Sequence, residues 1–183
     1  MKKIKKENKE KIMEMIEKAG DPDNYEVSWD ESGIPGEQKY KPNIKRGGRS
    51  KAKGARFELQ VRRDLEDKGR IVDKWNNNVD LEEEKLVQAK RKYNPFKKML
   101  VLGTGFPDFI SIKYIQDESY SVIGVEVKTN GILSKIEKEK CAWYLQKKIF
   151  AQIWIAKAVR KGRKIEIEYD DFFEKYGAKY NKT

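Results

Sequence analysis

Two short groups of residues in this chain could carry chemistry, and each lies at one end of an apolar segment. Pro107-Asp108 precedes the first segment, and Glu126-Val127-Lys128 ends the second. Carboxylate and carbonyl oxygens are ligands that Mg²⁺ or Mn²⁺ prefers, and a lysine beside them can position a water molecule. Asp108, Glu126, the Val127 carbonyl and Lys128 would therefore suit metal-assisted hydrolysis of a phosphodiester bond. Taken singly, Pro-Asp is also a common turn dipeptide and Glu-x-Lys a common solvated ion pair.

Strand alternation indicates how these residues could meet. The segments Phe109–Ile115 and Tyr120–Lys128 are separated by four polar residues, so they predict an antiparallel hairpin. Successive side chains of a strand point to opposite faces, which puts Glu126 and Lys128 on one face at its end. Charges in that place are unfavourable unless something compensates them, and a divalent cation would do so. Asp108 enters the partner strand, where its side chain can approach Glu126.

The remaining elements predict an α/β fold with a central mixed sheet. The core order is helix, strand, strand, strand, helix, strand, at about 52–68, 70–75, 109–115, 120–128, 134–150 and 151–159. A capping box, Ser134-x-x-Glu137, begins the second core helix, which lets the strands around it lie parallel. A strand at 164–169 and a short helix capped by Asp171 follow. We predict a helical insertion at 81–92, within a longer insertion that extends to 102.

The N-terminal part differs in composition from the rest. Residues 2–19 predict a helix that Gly20 ends, and 21–48 carry prolines and glycines among charges, which indicates an irregular arm. We therefore divide the chain into an N-terminal helix with its arm, 1–45, and a main domain, 46–183.

The composition limits the function classes. Forty-one Lys and Arg against 30 Asp and Glu give a net charge of +11, which favours a polyanionic partner. The absence of histidine excludes histidine acid–base catalysis and histidine-containing zinc sites. A single cysteine, Cys141, excludes an internal disulfide and favours a reducing, cytoplasmic location. No apolar run approaches the roughly 18 residues of a membrane helix, so we expect no membrane partner.

Together the two groups resemble the signature of the PD-(D/E)XK nuclease superfamily. More narrowly, Lys53-Gly-Ala-Arg-Phe-Glu58, with Arg62 and Leu65, resembles the first helix of archaeal Holliday junction resolvases. The resemblance covers about residues 50–160 and implies a restriction-endonuclease-like αβββαβ core. It implies that Glu58 faces the metal site, through water or a second ion. The alternative is an exposed ion pair between Glu58 and Arg62. The insertion departs from the compact resolvases.

Several basic residues are candidate DNA contacts. Phosphate binding needs charge without sequence-specific geometry, which suits the basic stretches 45–53 and 157–164. Some nucleases of the same superfamily carry a glutamine and a tyrosine on the helix after the Glu-x-Lys strand, and Lys140 and Tyr144 occupy comparable places. A solvated basic surface remains the alternative for all of them. The candidates are Arg46, Arg49, Lys51, Lys53, Lys140, Tyr144 and Lys147.

These observations predict a Mg²⁺- or Mn²⁺-dependent DNA endonuclease. Asp108 and Glu126 would bind the metal, Lys128 would position the attacking water, and Glu58 would complete the site. A Holliday junction resolvase would act on branched DNA and, because it makes two symmetric nicks, as a homodimer. The alternatives are a viral or plasmid nuclease, either general or specific for flaps, splayed duplexes or single strands, and a DNA-binding module without catalysis.

Overall fold

The computed structural model describes residues 6–94, 99–102, 105–162 and 164–180. These residues form four helices and eleven strands. The helices are α1 Lys6–Ala19, α2 Lys41–Asp67, α3 Lys135–Gln146 and α4 Phe172–Tyr180. The strands are β1 Tyr25–Trp29, β2 Pro35–Tyr40, β3 Ile71–Lys74, β4 Asn77–Asp80, β5 Lys85–Gln88, β6 Arg91–Asn94, β7 Met99–Leu102, β8 Phe109–Tyr114, β9 Tyr120–Val127, β10 Gln152–Lys161 and β11 Lys164–Asp171.

The chain divides into two compact units, Met1–Ala55 and Arg56–Thr183, and the division falls within α2. The first unit contains α1 and the antiparallel hairpin of β1 and β2. The predicted helix at 2–19 is therefore confirmed from residue 6, while residues 2–5 lie outside the described part. Ala19 ends α1, as the stop at Gly20 predicted.

The prediction of an irregular arm over 21–48 is wrong. Asp30 organises the turn between β1 and β2, because its Oδ1 accepts hydrogen bonds from the backbone N–H groups of Ser32 and Ile34. Helix α2 begins at Lys41, about ten residues earlier than predicted, and continues through Gly47 and Gly48. Pro42 suits this first turn because its fixed φ is helical and its missing N–H would have no intrahelical partner.

The second unit is built on a five-stranded mixed sheet with the order β11-β10-β9-β8-β3. Strands β8 and β9 pair antiparallel, as the short connection predicted, and β9 and β10 pair parallel on either side of α3 in the chain. The central mixed sheet predicted from the sequence is therefore confirmed. Strands β3 and β11 form its two edges.

Apolar side chains cover both faces of this sheet. On one face, Phe57, Val61 and Leu65 of α2 pack with a cluster that includes Ile123 and Val125 of β9. The other face packs against α3 and α4. Its cluster contains Val79, Phe106, Leu133, Cys141, Trp143, Tyr144, Phe150, Ile153, Ile155 and Phe172. The predicted alternation along β9 is confirmed, and it directs Glu126 to the face that carries α3.

The predicted helical insertion at 81–92 is wrong. Residues 77–80 and 85–88 pair as the hairpin β4–β5, and β6 pairs with β7, although residues 95–98 lie outside the described part. The Glu- and Lys-rich composition favours a helix, but tertiary context overrides such propensity. Val79 and Ala89 are buried in the second unit, and Glu84 has φ 47°, which belongs to a turn.

Both predicted caps are present. The Ser134 hydroxyl accepts from the Glu137 N–H at 3.3 Å, while the Glu137 carboxylate accepts from the Ser134 N–H at 2.7 Å. Asp171 caps α4 by accepting from the N–H groups of Phe173 and Glu174. Within the described residues, no helix combines the length and the apolar character that crossing a membrane requires.

Candidate functional site

The two predicted carboxylates meet at the end of the β8–β9 hairpin. The Val127 N–H donates to Asp108 Oδ2 at 2.9 Å, and the Asp108 N–H donates to Glu126 Oε2 at 3.2 Å. Glu126 is 4% exposed, and Asp108 is half-buried. Each carboxylate is thus anchored by the backbone of the other strand, which fixes their relative position.

Strand register explains this meeting. Phe109 pairs with Val125, so continuing the same register puts Asp108 opposite Glu126 and Pro107 opposite Val127. Proline has no N–H to offer the Val127 carbonyl, which is the oxygen predicted as a further ligand. Gly124 makes room for this arrangement, since a Cβ there would lie 2.8 Å from the Pro107 ring.

Burial and like charge act together on the two carboxylates. Burial, followed by the charge of Asp108, raises the pKa of Glu126 to about 8 despite the nearby lysine. Burial also raises the Asp108 pKa, against the hydrogen bond from Val127, and the charge of Glu58 adds to the increase. Two carboxyl groups that share one partly desolvated site resist joint ionisation, so added positive charge would stabilise their ionised forms.

Lys128 lies between two carboxylates of different elements. Its Nζ is 3.1 Å from Glu126 Oε1 and 2.7 Å from Glu137 Oε1. Burial alone would lower the Lys128 pKa, but hydrogen bonds and charge from Glu137 and Glu126 outweigh it and raise that pKa above its usual range. The ammonium therefore stays protonated at neutral pH. Glu137 joins the end of β9 to the first turn of α3, since its second oxygen completes the capping box.

Glu58 approaches the same end of the sheet from the face that α2 covers. Its carboxylate accepts a hydrogen bond from Lys74 Nζ at 2.7 Å, and it is close enough to Asp108 to raise that residue's pKa. Arg62 pairs instead with Glu66, so the alternative Glu58–Arg62 ion pair is not formed. The structure thus brings Glu58 near the pair while a lysine holds it.

Tyr144, predicted as a DNA contact, lies in the core. It is fully buried, its hydroxyl donates to the Phe106 carbonyl at 2.7 Å, and it accepts from Trp75 Nε1 at 3.0 Å. Burial raises its pKa to about 12. A buried hydroxyl that already makes two hydrogen bonds cannot reach a phosphate at the surface. Tyr144 instead holds the segment that precedes Asp108. The backbone N–H of Trp75 adds to this support by donating a hydrogen bond to the Asp108 carbonyl at 3.2 Å.

The predicted cationic contacts fall into two groups. Arg46, Arg49, Lys51 and Lys53 are exposed on the part of α2 that belongs to the first unit. Lys140 and Lys147 belong to the second unit. Lys140 is half-buried and donates to Asn78 Oδ1 at 2.7 Å, and Lys147 is exposed just after the last residue of α3.

The donor set fits a hard divalent cation. Mg²⁺ binds through one or two carboxylates, and water and phosphate oxygens complete its coordination. Asp108 and Glu126 supply two carboxylates whose raised pKa values favour a nearby cation. Across the described ranges, 6–94, 99–102, 105–162 and 164–180, no group of three or more histidine, cysteine, aspartate or glutamate side chains is arranged to hold a metal. The fit therefore depends on the pair and not on a larger cage.

The sequence does not predict two features of this site. The sequence predicts Glu137 only as a capping residue, and the signal for its second role is a glutamate in the first turn of the helix that follows the Glu-x-Lys strand. Lys74 carried no signal, because nothing in the sequence pairs it with Glu58.

Comparisons with protein-family models, curated proteins and solved structures find no match to this chain.

Proposed function

We propose that this protein is a metal-dependent DNA endonuclease with a restriction-endonuclease-like core of the PD-(D/E)XK type. The observation that carries the proposal is the pair of half-buried Asp108 and buried Glu126, cross-anchored by backbone N–H groups, with Lys128 at 3.1 Å from Glu126. The net charge of +11 supports a polyanionic substrate.

In this proposal, Asp108, Glu126 and the Val127 carbonyl hold Mg²⁺ or Mn²⁺, and Glu58 acts through water or a second ion. The bound cation supplies Lewis-acid polarisation of the phosphate and of its own water. Lys128 stays protonated, so it acts as a hydrogen-bond donor to the attacking water or a phosphate oxygen and not as a base. Glu137 keeps the Lys128 ammonium in place.

For the substrate, we propose branched or otherwise structured DNA, including the four-way junction, and a homodimer that makes paired nicks. This finer proposal rests on the likeness of the Glu58 segment to archaeal Holliday junction resolvases. The competing function is a DNA-binding module without catalysis, which would bind DNA and leave it intact.

A substrate panel tests the proposal. The purified chain is incubated with a four-way junction, a flap, a splayed duplex, a linear duplex and a single strand, each in Mg²⁺, Mn²⁺ or chelator. We expect cleavage that requires the metal and is fastest on a branched substrate. Equal cutting of all five substrates would reject structure specificity. Binding of the DNA, seen as slower migration in a gel, without any cutting would reject the nuclease proposal.

A further inference from the structure

A cleft in the second unit lies beside the candidate site and has no role in the proposed chemistry. Its volume is about 640 Å³, within the roughly 300–1000 Å³ of typical small-molecule sites. One wall is the β4–β5 hairpin, which carries Asn78 and Gln88. The opposite wall is the start of α3, which carries Ile136 and Lys140. We call this space the insertion cleft.

Polar groups of the insertion cleft come from both walls. Lys140 Nζ donates to Asn78 Oδ1 across the cleft at 2.7 Å, and that oxygen also accepts from the Val79 N–H at 2.8 Å. Gln88 contributes an amide with both a donor and an acceptor, and Lys90 contributes a second ammonium. Two carboxylates, Asp80 and Glu82, also line the cleft, and a carboxylate can accept a hydrogen bond from the exocyclic amino group of a base. Amides matched to a ring edge and ammonium groups matched to a phosphate are the chemistry that recognises a nucleotide.

The apolar part of the lining suits a flat ring. Leu81 and Val87 face the cleft from the hairpin, and Ile136 faces it from α3. Ile136 is 59% exposed in the first turn of α3, where a ring placed against it would remove apolar surface from water.

The cleft and the candidate site share the first turn of α3. Ile136 lines the cleft, and the next residue, Glu137, contacts Lys128 at 2.7 Å. Lys140 also lies 5.7 Å from the centre of the Phe106 ring, and Phe106 precedes Asp108 by two residues, so the cleft borders the segment that carries this carboxylate. Stacked and paired bases of a continuous duplex cannot enter such a cleft without leaving the helix, which costs free energy.

We infer that the insertion cleft binds one unpaired nucleotide of a DNA strand next to the scissile phosphate. The inference rests on the proposed function and deepens it. A nucleotide site in this place makes the protein selective for DNA with an unpaired base at a branch, gap or flap. The β4–β5 hairpin, whose second strand lies within the insertion predicted at 81–102, is then the element that gives this selectivity.

Binding by the full chain carrying Asp108→Asn, in chelator, tests the inference without cleavage. Two fluorescent DNAs are compared by anisotropy: a fully paired duplex, and the same duplex with a one-nucleotide gap that leaves 2-aminopurine unpaired. In that background, Gln88→Leu and Ile136→Ser together should weaken binding of the gapped DNA by about tenfold and change duplex binding by less than about twofold. Lys140→Met, as a second variant, should act in the same direction. Lys135→Met, on the same helix, and Ile165→Ser, an exposed isoleucine of β11, are the matched controls and should change neither affinity.

The 2-aminopurine emission should change on binding to the Asp108→Asn chain and stay unchanged with the cleft variant. The inference would be overturned if the cleft variant lost equal affinity for both DNAs or lost affinity for neither. It would also be overturned if the Asp108→Asn chain bound neither DNA. Competition by free dAMP as effective as by the gapped DNA would also overturn it, by indicating a mononucleotide site. If the cleft discriminates between the DNAs while the unmodified chain cuts none of them with Mg²⁺, the nuclease proposal fails and the nucleotide site stands.

Discussion

Carboxylates and lysines come together at two places in the second unit, which differ in burial and in how fully lysines pair with the carboxylates. At the end of β8–β9, the half-buried carboxylate of Asp108 and the buried carboxylate of Glu126 share one site with Lys128. At the end of β10–β11, Asp170 contacts both Lys157 and Lys175, each at 2.6 Å, and Lys157 also lies 3.7 Å from Glu168. We call the second group the Asp170 cluster.

Burial and pairing with lysine set the carboxylate pKa values at the two places. In the first site, burial and the second carboxylate raise the Glu126 pKa to about 8. In the Asp170 cluster, burial alone would raise the Asp170 pKa, but hydrogen bonds from Lys157 and Lys175 lower it. The Asp170 cluster is already neutralised by its own lysines, whereas the first site is short of positive charge. Burial and incomplete pairing with lysine therefore leave the carboxylates of the first site short of compensating charge, and this difference supports the metal role that we propose for that site.

The largest expected difference between the clusters is in catalysis. Asp108→Asn and Glu126→Gln keep the side-chain shapes but remove charge, so each should slow Mg²⁺-dependent cleavage by about 10³-fold or more. Asp170→Asn, the matched change, should stay within about threefold of the unmodified chain. Single-turnover rates on a labelled substrate measure this, and an equal loss in all three variants would contradict the comparison.

A smaller difference is expected for the lysines. Lys128→Met should lower kcat by about 10²-fold, because an ammonium beside the reacting phosphate is lost. Glu137→Gln keeps an acceptor for the helix cap but weakens the hold on Lys128, so we expect about a tenfold loss in kcat with little change in KM. Lys157→Met is the control from the Asp170 cluster. Steady-state kinetics would contradict the assignment if Lys157→Met slowed the reaction as much as Lys128→Met.

Stability against pH gives the third and smallest contrast. The Glu126 pKa is raised in the folded chain, so its contribution to stability is full below its ordinary value of 4.5 and is lost as pH rises towards about 8. The Asp170 pKa is lowered, so its contribution is present above the ordinary value and is lost as pH falls. The two carboxylates therefore act on stability in opposite directions.

Glu126→Gln should accordingly stabilise the metal-free chain at pH 8, by on the order of 2 kcal/mol, and flatten its decline between pH 5 and 8. Asp170→Asn should destabilise the chain at the same pH. Urea unfolding in chelator measures both variants. If Glu126→Gln were destabilising at pH 8, the interpretation of the paired carboxylates as a charge-deficient site would be wrong.

The sequence predicted the part of the site that depends on strand periodicity. Alternation placed Glu126 on the face that it occupies, and the short hairpin connection brought Asp108 to it. The Ser134 capping box located α3 because a cap is a local signal that spans four residues. These features depend on residues close in sequence, which is why they could be predicted.

The features that escaped prediction depend on distant contacts. Tyr144 is a candidate DNA contact by its place in the sequence, yet its hydroxyl donates a hydrogen bond to the Phe106 carbonyl within the core. The insertion looked helical by composition, but its strands are held by pairing and by the burial of Val79 and Ala89. Propensity acts over a few residues, and packing between segments far apart in the chain outweighs it.

Binding of Mn²⁺, measured by the loss of the free-ion signal in electron paramagnetic resonance, tests the central claim most directly. The unmodified chain should bind Mn²⁺ in competition with Mg²⁺, and Asp170→Asn should bind it equally well. Asp108→Asn and Glu126→Gln should each weaken that binding by about tenfold or more. Unchanged Mn²⁺ affinity in both of these variants would contradict the assignment of the paired carboxylates as a metal site.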